Sequence, residues 1–182
     1  DRMADSNIGL FGCTGETAKI WDLGLADVNL TGNFYVGGLV GQNYGQITNS
    51  YVTGDVTGRD EVGGLVGRNY GSITESYAVA KVEGLLRVGG LVGLNSEGII
   101  DRCYATGDVT GTEDGINYTF AGGLVGYNRA TISNSYARGA VSGQEDIGGL
   151  VGCNSNSGTI TNSYSTGAVS GDSYIGGLVG FN

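Results

Sequence analysis

Residues 37–58 read GGLVGQNYGQITNSYVTGDVTG, and the same string returns with small edits along the chain. A Gly-Gly pair opens each copy, at positions 37, 63, 89, 122, 148 and 176, so successive copies are 26, 26, 33, 26 and 28 residues apart. Three strand-like pieces stand in each copy: GGLVG, a piece of the form I-x-x-S-Y, and one of the form G-x-V-x-G. Each is apolar or alternating and is bounded by Gly, Asn, Ser or Thr, as short strands are. No stretch carries the 3.6-residue spacing of a helix. A unit of about 26 residues cannot bury its own apolar side, and stacking one copy on the next solves the problem. The expected fold is therefore all-β. It is a parallel β-helix of about six to seven coils with three short strands each, right-handed by the usual crossover preference.

Composition agrees. The 182 residues include 37 glycines and no proline, and 40% are hydrophobic, far too many for a disordered glycine-rich linker. Proline removes a backbone donor and is excluded from paired central strands, so its absence fits a backbone committed to ladders.

Placing the copies over one another sorts residues into columns. Val56, Val82, Val109, Val141 and Val169 are flanked by polar residues and are expected to point inward. Ile47, Ile73, Ile100, Ile132 and Ile160 form a second inward column, and Leu39, Leu65, Leu91, Leu124, Leu150 and Leu178 a third. Each of these leucines is followed by a valine. Two adjacent residues of a flat strand cannot share one interior, so which of Leu39 and Val40 points inward is open. Asn43, Asn69, Asn95, Asn128, Asn154 and Asn182 form an unbroken column, read as a left-handed turn whose amides bond along the stack. Tyr51, Tyr77, Tyr104, Tyr136 and Tyr164 fill another, in which rings at coil spacing would stack. They are read as walling the core at a corner, with an exposed platform for sugars as the alternative. Residues 1–35 follow the plan loosely, with IGLFG at 8–12 as a first strand, and are expected to form a divergent first coil or cap. Residues 36–182 are the regular repeats.

The repeated GGLVG-x-N with its SY-x-TG-x-V-x-G tail resembles the GLUG motif of bacterial surface and secreted proteins, from Ile8 to Asn182. That resemblance implies a passive module in a large exported protein, of the kind found in adhesin-like proteins and in the non-catalytic parts of IgA-specific metallopeptidases. It carries no catalytic residues across. The abrupt start and finish suggest a piece of a longer chain. The expected location is extracellular or at the bacterial cell surface.

Chemistry is sparse. The chain has no histidine, which removes the commonest general base and metal ligand. Asp55 and Asp108 share a column, but Lys81 lies between them and Ala140 and Ala168 follow, a poor basis for a paired-carboxylate site. Regular threonines such as Thr53 and Thr57 invite an ice-matching reading, but Arg138 and Glu83 interrupt their columns. Loops before the Gly-Gly pairs hold Asp60, Glu61, Glu113, Asp114, Glu145 and Asp146. Stacked carboxylates are weak candidate calcium ligands; Leu85, Leu86 and Arg87 break the stripe, and a solvated acidic edge is the favoured reading. No cofactor is otherwise implied. A net charge of −9 with scattered basic residues excludes a basic nucleic-acid face, and no apolar run is long enough for a membrane helix. The partners expected are neighbouring domains of a larger chain, the chain itself stacked end to end into filaments, and a host or matrix glycan or protein. Cys13 and Cys153 share a column five copies apart, roughly 24 Å at 4.8 Å per coil, beyond disulfide reach. Cys103 stands where other copies have serine.

Overall fold

The computed structural model describes residues 6–113, 118–155 and 157–182. The described residues form 29 short strands and no helix. One coil shows the plan: strands at Phe34–Gly37, Val40–Asn43, Gln46–Thr48 and Tyr51–Thr57. Each pairs in parallel with its counterpart one copy later, placing Val36 beside Val62, Asn43 beside Asn69, Ile47 beside Ile73 and Val56 beside Val82. Repeating that step builds four sheets, of seven, seven, six and nine strands. The chain is a parallel β-solenoid of six coils and the start of a seventh. The divergent N-terminal region joins it in register, with Phe11 beside Val40, Ile20 beside Ile47 and Leu30 beside Val56, and with one irregularity between Leu25 and Val28.

A coil therefore has four strands where the pattern suggested three. GGLVG is a corner: Gly38 and Leu39 form a bend between Phe34–Gly37 and Val40–Asn43. That corner settles the Leu39–Val40 question, because both side chains are fully buried. The piece I-x-x-S-Y is also split between two sheets. Asn49 sits in the split with φ 47°, and Glu75, Arg102, Asn134 and Asn162 repeat that geometry at φ 49°, 52°, 49° and 48°. Left-handed backbone thus recurs in this mixed column and again in the column of Tyr35, Glu61, Asp146 and Tyr174, whereas the Asn43 column is outside both.

Two apolar cores run the length of the solenoid. One gathers the leucine and isoleucine columns with Val40, Val66, Val92, Val125 and Val151. The other gathers Val56, Val82, Val109 and Val141 with Val36, Val62, Val88, Ala121 and Ile147. The pinch between them explains the second glycine of each pair. A Cβ on Gly64 would come within 2.3 Å of the Gly90 carbonyl oxygen and 2.9 Å of the Ala78 Cβ. The corner approaches the facing sheet so closely that a hydrogen is required on one side and, in most coils, alanine on the other. Burying one isoleucine of the inner column is worth about 1.5–3 kcal/mol, and stacking repeats that gain at every coil.

Candidate functional site

The asparagine column is a continuous chain of buried amides. Asn43 Nδ2 donates to Asn69 Oδ1 at 2.8 Å, Asn69 to Asn95 at 3.0 Å, Asn95 to Asn128 at 2.9 Å, Asn128 to Asn154 at 2.8 Å and Asn154 to Asn182 at 2.8 Å. Thr14 Oγ1 donates to Asn43 Oδ1 at 2.8 Å and continues the chain into the divergent first coil. The second amide hydrogen is used as well, as where Asn69 Nδ2 also donates to the Gly71 carbonyl at 3.2 Å. Asn43, Asn69, Asn95 and Asn128 are fully buried. Their hydrogen-bonding capacity is taken up along the axis, so this column offers little to a ligand.

The tyrosine column stands on the outer face. Tyr51 alternates with the buried Val52 in one strand and so points away from the core. Its ring stacks on Tyr77 at 5.1 Å between centroids, Tyr77 on Tyr104 at 4.7 Å, Tyr104 on Tyr136 at 5.0 Å and Tyr136 on Tyr164 at 5.1 Å, every pair within 8° of parallel. Their faces are used up by one another, leaving edges and hydroxyls outward. Arg138 lies over the Tyr136 ring at 4.9 Å. Burial, with the neighbouring Tyr77 and Tyr136, raises the Tyr104 phenol above its ordinary value.

Asp60, Glu61, Glu145 and Asp146 lie on strands, and the first two meet cations. Glu61 is 1% exposed, with φ 56°, and its carboxylate accepts from Nε and Nη2 of Arg68. Arg68 also lies over the Tyr35 ring at 4.6 Å and donates to the Tyr70 hydroxyl at 3.0 Å. Arg87, from the next coil, donates to both Asp60 oxygens, with Nε at 2.9 Å and Nη2 at 2.5 Å, and its Nη1 comes within 3.4 Å of Glu61. Burial works against the charge on Arg68 and Arg87, but the hydrogen bonds and charges of Glu61 and Asp60 outweigh it and hold both guanidinium groups above their usual range. Asp60 and Glu61 are thus neutralised from within. Asp146 lies three copies later in the same column, 8% exposed with φ 50° and Glu145 beside it. Burial first and the Glu145 charge second push its carboxyl up to about 6. Glu113 is exposed, and Asp114 lies outside the described residues. Among the described residues, no three histidine, cysteine, aspartate or glutamate side chains are grouped to hold a metal.

Asp55 lies beside Lys81 in register, so a cation separates it from the next carboxylate of its column. All three cysteines are free thiols. Cys103 is buried among serines: Ser50 N donates to Ser76 Oγ at 3.1 Å, and Cys103 N donates to Ser135 Oγ at 3.1 Å.

The same coils coincide with matches to the GLUG motif at residues 32–57, 59–83, 84–110, 118–142 and 143–170. The chain belongs to the GLUG-motif family. In fold, this GLUG chain is similar to a candidate immunoglobulin A1 protease from Bacteroides ovatus, known from a crystal structure at 1.30 Å. The TM-score is 0.71 at 23% sequence identity, over 84% of this chain and 53% of the other. The GLUG chain thus spans about half the length of that solved chain. No curated protein matches its sequence.

The residues hardest to foresee were Arg68 and Arg87. Their columns mix residue types, so the repeat itself gives no signal. The usable clue is an offset: Arg68 is seven residues beyond Glu61 and Arg87 one repeat beyond it.

Proposed function

We propose that this GLUG solenoid is a non-catalytic spacer in an exported bacterial protein, holding neighbouring domains at a fixed distance and orientation. One observation carries the reading: the asparagine chain from Thr14 to Asn182 runs through every coil without a break. Bending such a stack would break buried amide–amide hydrogen bonds, at about 1–3 kcal/mol for each amide hydrogen left unpaired. Rigidity is thus written into the interior, while most outer positions, the tyrosine column apart, vary from coil to coil. The lack of histidine and the internal neutralisation of Asp60 and Glu61 support a passive role. The partial coverage of the Bacteroides ovatus chain is compatible with a module set among others.

The test is a linker exchange in the parent polypeptide. Replacing the module by a flexible Gly/Ser linker of equal reach should abolish the parent's surface function, and an unrelated β-solenoid of equal length should restore it. Failure of the unrelated solenoid would show that this module contributes chemistry of its own, against the spacer reading.

A further inference from the structure

A groove follows the column of Tyr35, Glu61, Asp146 and Tyr174 toward the C-terminal coils. Phe120, Tyr127, Asp146, Cys153, Tyr174 and Phe181 line it, enclosing about 260 Å³. Phe120 meets Tyr127 edge to face at 5.3 Å, and Tyr174 meets Phe181 the same way at 5.9 Å. Asp146 lies between these aromatic pairs in its column, with Ile147 paired to Ala121 on one side and Ile175 on the other.

This groove repeats, three copies on, the place that the chain fills with its own arginine. Seven residues beyond Glu61 stands Arg68; seven residues beyond Asp146 stands Cys153. Arg68 and Cys153 occupy one column, linked in register through Leu94 and Tyr127. At Glu61 the guanidinium is gripped by a buried carboxylate and laid against Tyr35. At Asp146 the carboxylate and the aromatic walls are present, but the column offers a small thiol. Asp146 as a residue is 8% exposed, and its carboxylate, which no described residue bonds, opens into the groove, since no buried side-chain oxygen among the described residues lacks a partner. Arg129 lies over the Tyr127 ring at 5.3 Å and forms no ion pair with Asp146. A carboxylate facing a part-buried aromatic groove, with no cation of its own chain paired to it, favours one supplied from outside.

We propose that the groove around Asp146 binds the guanidinium of an arginine presented by another protein. A guanidinium suits the site better than an ammonium, because it is planar, weakly hydrated and stacks on rings. A metal ion suits it poorly, because calcium takes six to eight oxygens and these walls are aromatic. Glu145 at the rim supplies a second negative charge. The inference does not rest on the spacer reading, since linker exchange tests rigidity and the following experiment tests one groove.

The experiment is an NMR titration of the chain with acetyl-Gly-Arg-Gly-amide, alongside its lysine counterpart and free arginine. The arginine peptide should shift the ring resonances of Tyr127, Tyr174 and Phe181, and the lysine peptide should bind several-fold more weakly. Asp146→Asn should weaken the arginine peptide at least about tenfold. Cys153→Arg should abolish binding by filling the groove from within, while Glu97→Gln, on an exposed turn, should leave affinity unchanged. Two-dimensional spectra of each variant report whether it is folded. The proposal is overturned if the wild type shows no shifts at roughly 10 mM peptide, or if folded Asp146→Asn binds as tightly. Free arginine binding as tightly as the peptide would overturn the assignment to a protein partner.

Discussion

Asn69 donates its amide to Oδ1 of Asn95 at 3.0 Å while accepting from Asn43 at 2.8 Å, so it is both donor and acceptor, as are Asn95, Asn128 and Asn154 beyond it. Asn95→Leu would leave one Asn69 amide hydrogen without its acceptor and would remove one of the two donors to Asn128 Oδ1. The expected loss is about 2–4 kcal/mol, from one orphaned buried amide hydrogen and one further lost hydrogen bond. Asn95→Asp should be at least as damaging, because a carboxylate would face the Asn128 oxygen it now donates to. Urea denaturation of both variants measures this.

Glu61 should matter more than any other acid in the chain. Glu61→Gln keeps the shape but leaves Arg68 and Arg87 short of countercharge. Breaking a buried pair generally costs about 3–5 kcal/mol; here about 2 kcal/mol is expected, since the Arg68 and Arg87 side chains retain 21% and 26% exposure. A double-mutant cycle with Arg68→Met should return a coupling of the same order. A coupling near zero would show that the pair is incidental.

Asp146 gives a pH dependence of the opposite sense to a paired carboxylate. Its folded-state carboxyl is raised to about 6, so folding favours the protonated form. Its contribution is therefore best at low pH and worsens as pH rises from the ordinary carboxylate range through about 6. Asp146→Asn should raise stability at pH 7.5 by on the order of 1 kcal/mol, after allowance for solvent screening of the partly open groove. The difference should vanish near pH 4. Glu145 supplies the neighbouring negative charge, and Glu145→Gln should lessen the effect. Denaturation midpoints across that range are the measurement.

The thiols should separate cleanly under an alkylating reagent. Burial pushes Cys103 up to about 12 and Cys153 up to about 11, so neither presents thiolate at neutral pH. Cys13 is exposed and should react first. Cys103→Ser should leave stability within about 0.5 kcal/mol, because serine fills that column in neighbouring coils and satisfies the same backbone groups. Mass spectrometry after timed alkylation distinguishes the three.

These predictions rest on features of differing legibility. The Val56, Ile47, Asn43 and Tyr51 columns could be read because one residue type recurs at one spacing, and a solenoid places such residues in contact. The fourth strand was hidden: an apolar pair such as Leu39-Val40 looks like a strand interior unless the chain turns between sheets there. The left-handed turn escaped notice because its column holds Asn49, Glu75 and Arg102, which share a backbone shape and nothing chemical. The Glu61–Arg68–Arg87 cluster and the groove at Asp146 depend on contacts between columns, and a repeat shows only contacts within one.

The central claim is that equivalent residues of successive coils lie directly over one another, and isoleucine methyls test it most directly. A methyl NOE spectrum of the chain labelled at isoleucine δ1 should connect Ile20, Ile47, Ile73, Ile100, Ile132 and Ile160 in that order, each to its immediate neighbours alone, because coils are about 4.8 Å apart. Contacts that skip a member, such as Ile47 with Ile100, or an absence of contact between Ile73 and Ile100, would contradict it.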